Sequence, residues 1–333
     1  APRLADRLKQ QLESESEFRL LKVEDSDSRD DNLEAALELS YAPLPGDLKQ
    51  KFRALGVIAP DAPFAPATAF AVWGVDPDDE SARDAAEDAL AGLVKAGLLA
   101  RLPGTDRLTQ HMLLRAYARA LARRHDEHDS ALGRYIRHVT FDLVRFYELP
   151  MQDWNTQIGP DLPHIHHVGN ALLSDVQSWV PGETPLESLA QPEPPNTLPA
   201  VDPDDGTAHA LLERGEDFAY QVIRYIHYRS IGDEGRRWLW LGLACARLRS
   251  SRKREGVVLN ELGLWHNARG QQQPAIGYYE ASLVIARELG DQKDEGTTLN
   301  NLGAVYDNLG QVERARDLYE QSLAIRREVG DRA

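Results

Sequence analysis

The chain of 333 residues has a single cysteine, Cys245, and therefore cannot form an internal disulfide. Chains so poor in cysteine are typical of a reducing compartment, so we expect a cytoplasmic protein. No apolar run approaches the roughly 20 residues that a helix needs to cross a bilayer. The first residues, with Arg3, Asp6 and Arg7, also lack the apolar stretch of a signal peptide. No membrane partner is expected.

Basic residues are a minority in this sequence. The chain has 53 Asp and Glu residues against 38 Lys and Arg residues, and its formal net charge is −15. A surface with this balance repels phosphate-rich partners. Direct binding to nucleic acid or to an anionic membrane is therefore disfavoured over most of the surface.

Motifs of catalysis are also missing. The sequence has no Gly-x-x-x-x-Gly-Lys-Ser/Thr loop, the motif that cradles nucleotide phosphates. His164, His166 and His167 lie close together, but without the spacing or the cysteine partners of a zinc site. We expect them in a loop before a helix. The remaining histidines and carboxylates form no triad, so the sequence predicts neither a metal site nor an enzyme.

The last quarter of the chain repeats itself. Gly-Val-Val-Leu-Asn-Glu-Leu-Gly at 256–263 returns 40 residues later as Gly-Thr-Thr-Leu-Asn-Asn-Leu-Gly at 296–303. Self-similarity at a fixed period of roughly 20–50 residues is the signature of stacked structural repeats. The clear copies cover residues 256–291 and 296–331, and a degenerate copy is expected over about 216–251.

Each repeat is predicted to be an αα-hairpin. Its apolar residues recur at helical spacing, and Gly270 and Gly290 stand where the first and second helix of the earlier copy should end. The small residues Gly263 and Gly303 let the paired helices approach closely.

The large and small residues of this pattern resemble the tetratricopeptide (TPR) repeat in its long variant. The matching residues are Leu259, Leu262, Gly263, His266, Ala275, Tyr279 and Ser282, and again Leu299, Leu302, Gly303, Tyr306, Ala315, Tyr319 and Ser322. The resemblance implies an α-solenoid whose first helices line a concave surface for a protein or peptide partner. By this pattern the partner-binding positions are Asn260, Leu264, Asn267, Asn300, Asp307 and Asn308. Asparagine amides both donate and accept, which suits an extended peptide backbone.

Upstream of the repeats the sequence predicts further helices. A helical remnant is expected over 1–24, a compact domain over 30–125, a helical arm over 130–178 and a proline-rich loop or linker over 179–207, with the repeats filling 208–333. Within the compact domain, Ser81 is expected to cap a helix, and short strands are predicted at Leu98 to Leu102 and Arg107 to Thr109. Helices followed by a β-hairpin and another helix are typical of a winged-helix domain.

Four segments of this domain carry a second resemblance. They are Leu-Glu-Leu-Ser-Tyr (37–41), Lys-Phe-Arg-Ala-Leu-Gly-Val (51–57), Leu-Val-Lys-Ala-Gly-Leu-Leu (93–99) and His-Met-Leu-Leu-Arg-Ala-Tyr-Ala (111–118). With them the domain is similar to the winged-helix part of bacterial NB-ARC (AP-ATPase-like) proteins, which belong to the STAND class of signal-transduction ATPases. The resemblance implies a nucleotide-binding domain upstream, with ADP or ATP and Mg in that parent chain. It also implies that the activated parent oligomerises. No capping helix follows the last repeat, so we expect a fragment of a longer protein.

His111 is the candidate nucleotide-sensing residue. In the family, a histidine at this point, usually in a Met-His-Asp-like motif, reaches the β-phosphate of bound ADP. Here the triplet is Gln110-His111-Met112, without the aspartate. The role of the family histidine implies that the winged helix stabilises the inactive, ADP-bound state until an inducer binds the repeats. Two alternatives are a plain TPR scaffold and a transcription regulator that binds DNA through the winged helix. The acidic residues around the helix before the wing disfavour the latter.

Overall fold

A computed structural model describes residues 37–146, 153, 159–180, 185–193, 198–202, 204–229 and 232–330. The described part is mainly helical, as predicted. The chain divides into two compact units, Ala1–Val168 and Gly169–Ala333, and each is described by itself. The helix predicted over 1–24 and part of the predicted arm lie outside the described residues.

The first unit combines helices with one small hairpin. After a helical turn at 37–41, its elements are α1 (Gly46–Ala54), a 3-10 turn (Leu55–Val57), α2 (Pro66–Trp73), α3 (Glu80–Lys95), β1 (Ala100–Arg101), β2 (Leu108–Thr109), α4 (Met112–Arg124), α5 (His128–Phe146), a 3-10 turn (Gly159–Asp161) and the start of α6 (Leu162–Trp179). β1 and β2 are antiparallel, with Ala100 opposite Thr109 and Arg101 opposite Leu108. The strands are shorter than predicted.

Local side chains fix where α3 begins and how the hairpin is held. The carboxylate of Asp79 accepts a hydrogen bond from the Ala82 N–H at 2.9 Å, so Asp79 is the N-cap. The expectation that Ser81 caps this helix was wrong, because Ser81 already lies inside its first turn. Leu108 also pairs with Phe64 in an isolated antiparallel bridge, which adds a third backbone segment to the hairpin.

An aromatic cluster forms part of the core of the first unit. The ring of Tyr41 lies 5.7 Å from Phe52 and 5.8 Å from Tyr117, centroid to centroid. Gly56, in the turn after α1, packs directly on α4. A Cβ atom at Gly56 would lie 2.3 Å from the backbone nitrogen of Arg119, so only glycine fits there. The close approach of the turn to α4 is therefore built into the sequence.

The second unit is helical in its described residues. It contains the rest of α6, a single helical turn α7 (Leu186–Leu189), and then α8 (Gly206–Arg229), α9 (Asp233–Leu248), α10 (Arg252–Asn267), α11 (Gln272–Leu289), α12 (Gln292–Asn308) and α13 (Val312–Glu328). α7 lies within the stretch expected to be a proline-rich loop. Leu186 and Leu189 are buried there, so this part of the stretch is packed.

Consecutive helices pack as pairs, α8 with α9, α10 with α11 and α12 with α13. A Cβ atom at Gly263 would lie 2.6 Å from the ring of Tyr279, and one at Gly303 would lie 2.7 Å from the ring of Tyr319. The predicted role of these two glycines is confirmed. In the two clear copies the pair also shares a hydrogen bond from a serine hydroxyl to a glycine carbonyl, Ser282 to Gly256 at 2.8 Å and Ser322 to Gly296 at 2.6 Å. The predicted αα-hairpins are therefore present.

Candidate functional site

The first helices of the two clear repeats carry the predicted asparagines. Asn260 on α10 and Asn301 on α12 form a hydrogen bond between neighbouring repeats, with the Asn301 Nδ2 donating to the Asn260 Oδ1 at 3.0 Å. Asn301 was missed as a site residue, although it stands beside the predicted Asn300. This bond does not involve the side-chain carbonyl of Asn301, and it fixes the orientation of the Asn260 amide. The two repeats therefore present one ordered row of amides.

The predicted positions differ in exposure. Asn300, Asp307 and Asn308 on α12 are exposed, whereas Asn260, Leu264 and Asn267 on α10 are half-buried. The Oδ1 atom of Asn267 is buried and has no hydrogen-bond partner among the described residues. An unsatisfied buried acceptor of this kind costs free energy until a donor reaches it. The structure thus brings a half-buried row on α10 next to an exposed row on α12. We call these six residues together with Asn301 the amide face.

An exposed tyrosine on the preceding first helix was not predicted. The ring of Tyr220 on α8 is 38% exposed, and the Arg254 guanidinium of α10 lies 5.3 Å from its centroid. Arg254 also forms an ion pair with Asp217. Tyr220 lies in the stretch expected to hold a degenerate copy, where the repeat pattern is too weak to assign it a position. The signal that could have found it is its spacing of 40 residues before Asn260.

The tryptophans of α9 and α10 pack within the repeats. Trp238 is fully buried, and Trp265 is buried as well. The Arg236 guanidinium lies 4.5 Å from the centroid of Trp240 and 5.0 Å from that of Trp265, and the Arg269 guanidinium lies 3.6 Å from Trp265. Because the chain's own arginines occupy the positions over these rings, the rings are not arranged as a cage for a cationic ligand.

His111 is the N-cap residue of α4 and is exposed. Its Nδ1 atom accepts a hydrogen bond from the Leu113 N–H at 3.3 Å. A neutral ring that accepts at Nδ1 carries its proton on Nε2, so the outer nitrogen is a donor. The preceding Gln110 is 6% exposed, and neither polar atom of its side-chain amide has a hydrogen-bond partner among the described residues. The N-terminus of α4 therefore combines a donor, an unsatisfied amide and a helix dipole that favours anions.

The three clustered histidines lie in the first two turns of α6, so the expectation of a loop was wrong. Tyr135 donates to the Nδ1 atom of His164 at 2.7 Å, and the Nε2 atom of His164 donates to the Pro63 carbonyl at 3.1 Å. Burial lowers the pKa of His164 below the usual value. Burial, together with nearby arginines, lowers the pKa of His167 to about 3. His164 is a neutral core residue, and the described residues contain no cluster of potential metal ligands.

The repeat pattern has an independent counterpart in known proteins. The family profile "Tetratricopeptide repeat" matches residues 233–328. The match covers α9 to α13, the same helices whose pairing and close glycine contacts are described above. Residues 233–328 are tetratricopeptide repeats. Repeats of this family are in general non-catalytic modules for protein interaction.

The other comparisons are weaker than the TPR match. One solved structure that resembles the chain is that of a signal transduction ATPase with numerous domains (STAND) with a tetratricopeptide repeat sensor, from Pyrococcus horikoshii. The two are 14% identical with a TM-score of 0.32, and the likeness covers 98% of this chain and 57% of that chain. A likeness of this size carries no argument by itself. No curated protein sequence matches the chain. None of the helices described by the structure is long and apolar enough to cross a membrane.

Proposed function

We propose that this chain is the regulatory and sensor part of a STAND signal-transduction ATPase, in which the TPR array binds a protein or peptide inducer. The observation that carries the proposal is the TPR match over residues 233–328, on helices that present the amide face. An upstream nucleotide-binding domain in the parent chain completes the proposal. This chain itself supplies regulation and recognition.

The chemistry of the amide face supports a peptide as the inducer. Asn300 and Asn308 offer exposed amides, and Asn267 offers a buried acceptor without a partner among the described residues. Amide groups pair with the N–H and C=O groups of an extended backbone. The carboxylate of Asp307, at the end of the same row, favours a ligand with a positive charge or an N–H group at that point.

The first unit supports the proposal through the order of its elements. α1, the bridge residue Phe64, α2, α3 and the β1–β2 hairpin follow one another as the helices and strands of a winged-helix domain do. α4 follows directly, with His111 at its N-terminus. In the proposed parent this domain holds the ATPase in its ADP-bound, inactive state.

The N-terminus of α4 fits a phosphate group. An Nε2–H donor on His111 and the unsatisfied amide of Gln110 are groups that a phosphate oxygen would satisfy. When ADP is bound, it supplies the negative charge that this helix terminus favours. His111 would orient that phosphate through its Nε2 hydrogen bond. The missing aspartate after His111 leaves the helix N-terminus and Gln110 to supply the remaining contacts.

Activation then follows as a shift between two states. An inducer that binds the amide face can favour the open, ATP-bound parent only if it binds that state more tightly than the closed state. The same coupling requires that bound ADP weakens inducer binding, because linkage is reciprocal. Oligomerisation of the open parent is part of the proposal.

The test uses the natural full-length product. We expect close to one ADP per chain to co-purify with the wild type and clearly less with His111→Ala. The matched control is His125→Ala, at the exposed C-cap of the same helix, which should retain the wild-type amount. The readout is nucleotide released by acid and quantified by chromatography.

Each other outcome has a definite meaning. If neither wild type nor variant holds nucleotide, the switch is refuted and a TPR scaffold remains. Equal ADP in wild type and in His111→Ala would keep the ATPase but remove His111 from the phosphate. The transcription-regulator alternative is disfavoured by α3, the helix before the hairpin, whose exposed acidic residues outnumber its exposed basic residues. The acidic ones are Glu80, Asp84, Glu87 and Asp88, and the basic ones are Arg83 and Lys95.

A further inference from the structure

The second unit holds one of its own segments in the way that a protein holds a bound peptide. Residues 185–193 comprise the single turn α7 and the residues that follow it. Four successive main-chain carbonyls of this segment accept hydrogen bonds from side chains of α9 and α11. The pairs are Arg247 Nη1 with Leu189 O at 2.7 Å, Tyr278 Oη with Ala190 O at 3.1 Å, Arg247 Nη1 with Gln191 O at 2.7 Å, and Arg247 Nη2 with Pro192 O at 3.1 Å.

The donors of this contact are held in place from behind. The Nε atom of Arg247 donates to Glu255 at 2.9 Å, and both side chains are buried. The other oxygen of Glu255 accepts from Arg252 at 2.7 Å. Burial raises the pKa of Tyr278, so its hydroxyl keeps the proton that it donates to the segment. The carboxylate of Glu255 fixes one edge of the Arg247 guanidinium, and the other edge faces the carbonyls of the segment. The orientation of Arg247 is therefore set independently of the segment.

Apolar side chains add a second kind of recognition. Leu186 is 6% exposed, and Leu189 and Ala190 are almost completely buried, although they lie in and directly after a one-turn helix in a proline-rich stretch. α7 packs against α9. Pro192 lies over Gly277 of α11, where a Cβ atom would be 3.4 Å from the proline ring. The segment thus contributes two leucines and a proline, and the repeats contribute the donors.

The next repeat provides an internal comparison. Arg287 and Glu295 stand 40 residues after Arg247 and Glu255, and they form the same ion pair at 2.8 Å. There the side chain of Arg287 is 52% exposed, whereas that of Arg247 is 1% exposed. The ion pair is therefore a feature of the repeat, while the burial of Arg247 comes from the segment that lies on it.

We infer that the α9–α11 surface around Arg247 and Tyr278 is a peptide-binding site, and that residues 185–193 occupy it in cis. Its ligand class is a short peptide with two leucines three residues apart and a proline three residues after the second leucine. The main-chain carbonyls of this peptide accept hydrogen bonds from Arg247 and Tyr278. A partner with the same pattern binds here only by displacing the segment. This site is separate from the amide face and does not rest on the proposed function.

The first test separates the segment from its site. In the whole chain, Leu186→Asp with Leu189→Asp places two carboxylates in apolar contacts and detaches the segment. We expect a fluorescein-labelled peptide of residues 185–193 to bind this variant saturably and to bind the wild type at least about tenfold more weakly. Adding Arg247→Lys, which keeps the charge but removes the fork of donors, should weaken binding about tenfold. Arg287→Lys, in the next repeat, should leave binding unchanged.

Two results would overturn the inference. One is the absence of peptide binding to the double variant when its circular dichroism spectrum and thermal midpoint show folded repeats. The other comes from hydrogen exchange of the wild type, which remains informative if the double variant does not fold. A docked segment can detach while the repeats stay folded. The Ser188 and Ala190 amides should therefore exchange at least about a hundredfold faster than those of α10. Excess labelled peptide should bind slowly, at the rate at which the segment detaches. Exchange of these amides only together with α10 would make the segment an integral part of the fold.

Discussion

The close contact between Gly263 and Tyr279 gives a quantitative test of the repeat packing. Replacing Gly263 by alanine places a Cβ atom 2.6 Å from two carbons of the Tyr279 ring, well inside van der Waals contact. Tyr279 is completely buried, so the ring has no space into which to move. Overpacking of this kind costs about 2–3 kcal/mol, and the higher helix propensity of alanine returns about 1 kcal/mol. We expect Gly263→Ala to lower the free energy of unfolding by about 1–2 kcal/mol.

Two matched glycines serve as controls. At Gly303 a Cβ atom would lie 2.7 Å from the ring of Tyr319, but that ring is only partly buried and can turn outward. We expect a loss of at most about 1 kcal/mol there. At Gly296 the nearest atom to a new Cβ would be 3.4 Å away on Ile325, an ordinary contact. Gly296→Ala should therefore stabilise the repeats, by up to about 1 kcal/mol.

The assay must report on the repeats alone, because a chain of two units need not unfold in one step. Hydrogen exchange of the α10 and α12 amides gives the local free energy of opening in each variant. The expected order of stability is Gly296→Ala, wild type, Gly303→Ala, Gly263→Ala. A Gly263→Ala variant as stable as Gly296→Ala would refute the reasoning, because it would show that Tyr279 does not limit the approach of the paired helices.

Two further predictions concern the first unit. The pKa of His167 is lowered to about 3 from the ordinary 6.5. As the pH falls below 6.5, this histidine is therefore protonated in the unfolded chain but stays neutral in the folded chain. Between pH 6.5 and pH 5 this should remove up to about 2 kcal/mol of stability, and urea unfolding of His167→Gln should show a shallower dependence on pH than the wild type. Asp79→Ala removes the cap of α3 and should lower the free energy of unfolding in urea by about 1 kcal/mol. Ser81→Ala, inside the helix, should change it by no more than about a few tenths of a kcal/mol. Equal losses for both variants would contradict the assignment of the cap.

The repeats could be predicted from sequence because their rules are local and occur twice. Gly263 and Tyr279 both recur 40 residues later, as Gly303 and Tyr319. This shared period identifies the tyrosine as the packing partner of the glycine. The start of α3 shows where local rules become ambiguous. Asp79 and Ser81 are both good caps, and only the backbone geometry selects Asp79. The histidines of α6 lie inside a helix that already begins at Leu162, because Pro163 fits well in a first turn.

The candidate sites were less predictable, because they depend on distant residues. The amide face follows the family pattern on α10 and α12, but the bond between Asn260 and Asn301 depends on how two repeats stack. The packing of α7 depends on Arg247, which is 58 residues from Leu189 in the chain. A proline-rich stretch without a period gives no sign that two of its leucines are buried. Sequence reasoning finds the surfaces of a repeat array more readily than the segments that cover them.

The repeated Arg–Glu pair shows why similar repeats need not have similar roles. Arg247 with Glu255 and Arg287 with Glu295 have the same spacing and nearly the same hydrogen-bond distance. The first pair is buried, while the side chain of Arg287 is 52% exposed. An exposed ion pair contributes little to stability, but a buried guanidinium needs its donors satisfied. The carbonyls of Leu189, Gln191 and Pro192 accept hydrogen bonds from Arg247. The same two residue types therefore make a surface pair in one repeat and part of the proposed binding site in the other, and the difference lies in the segment that contacts them.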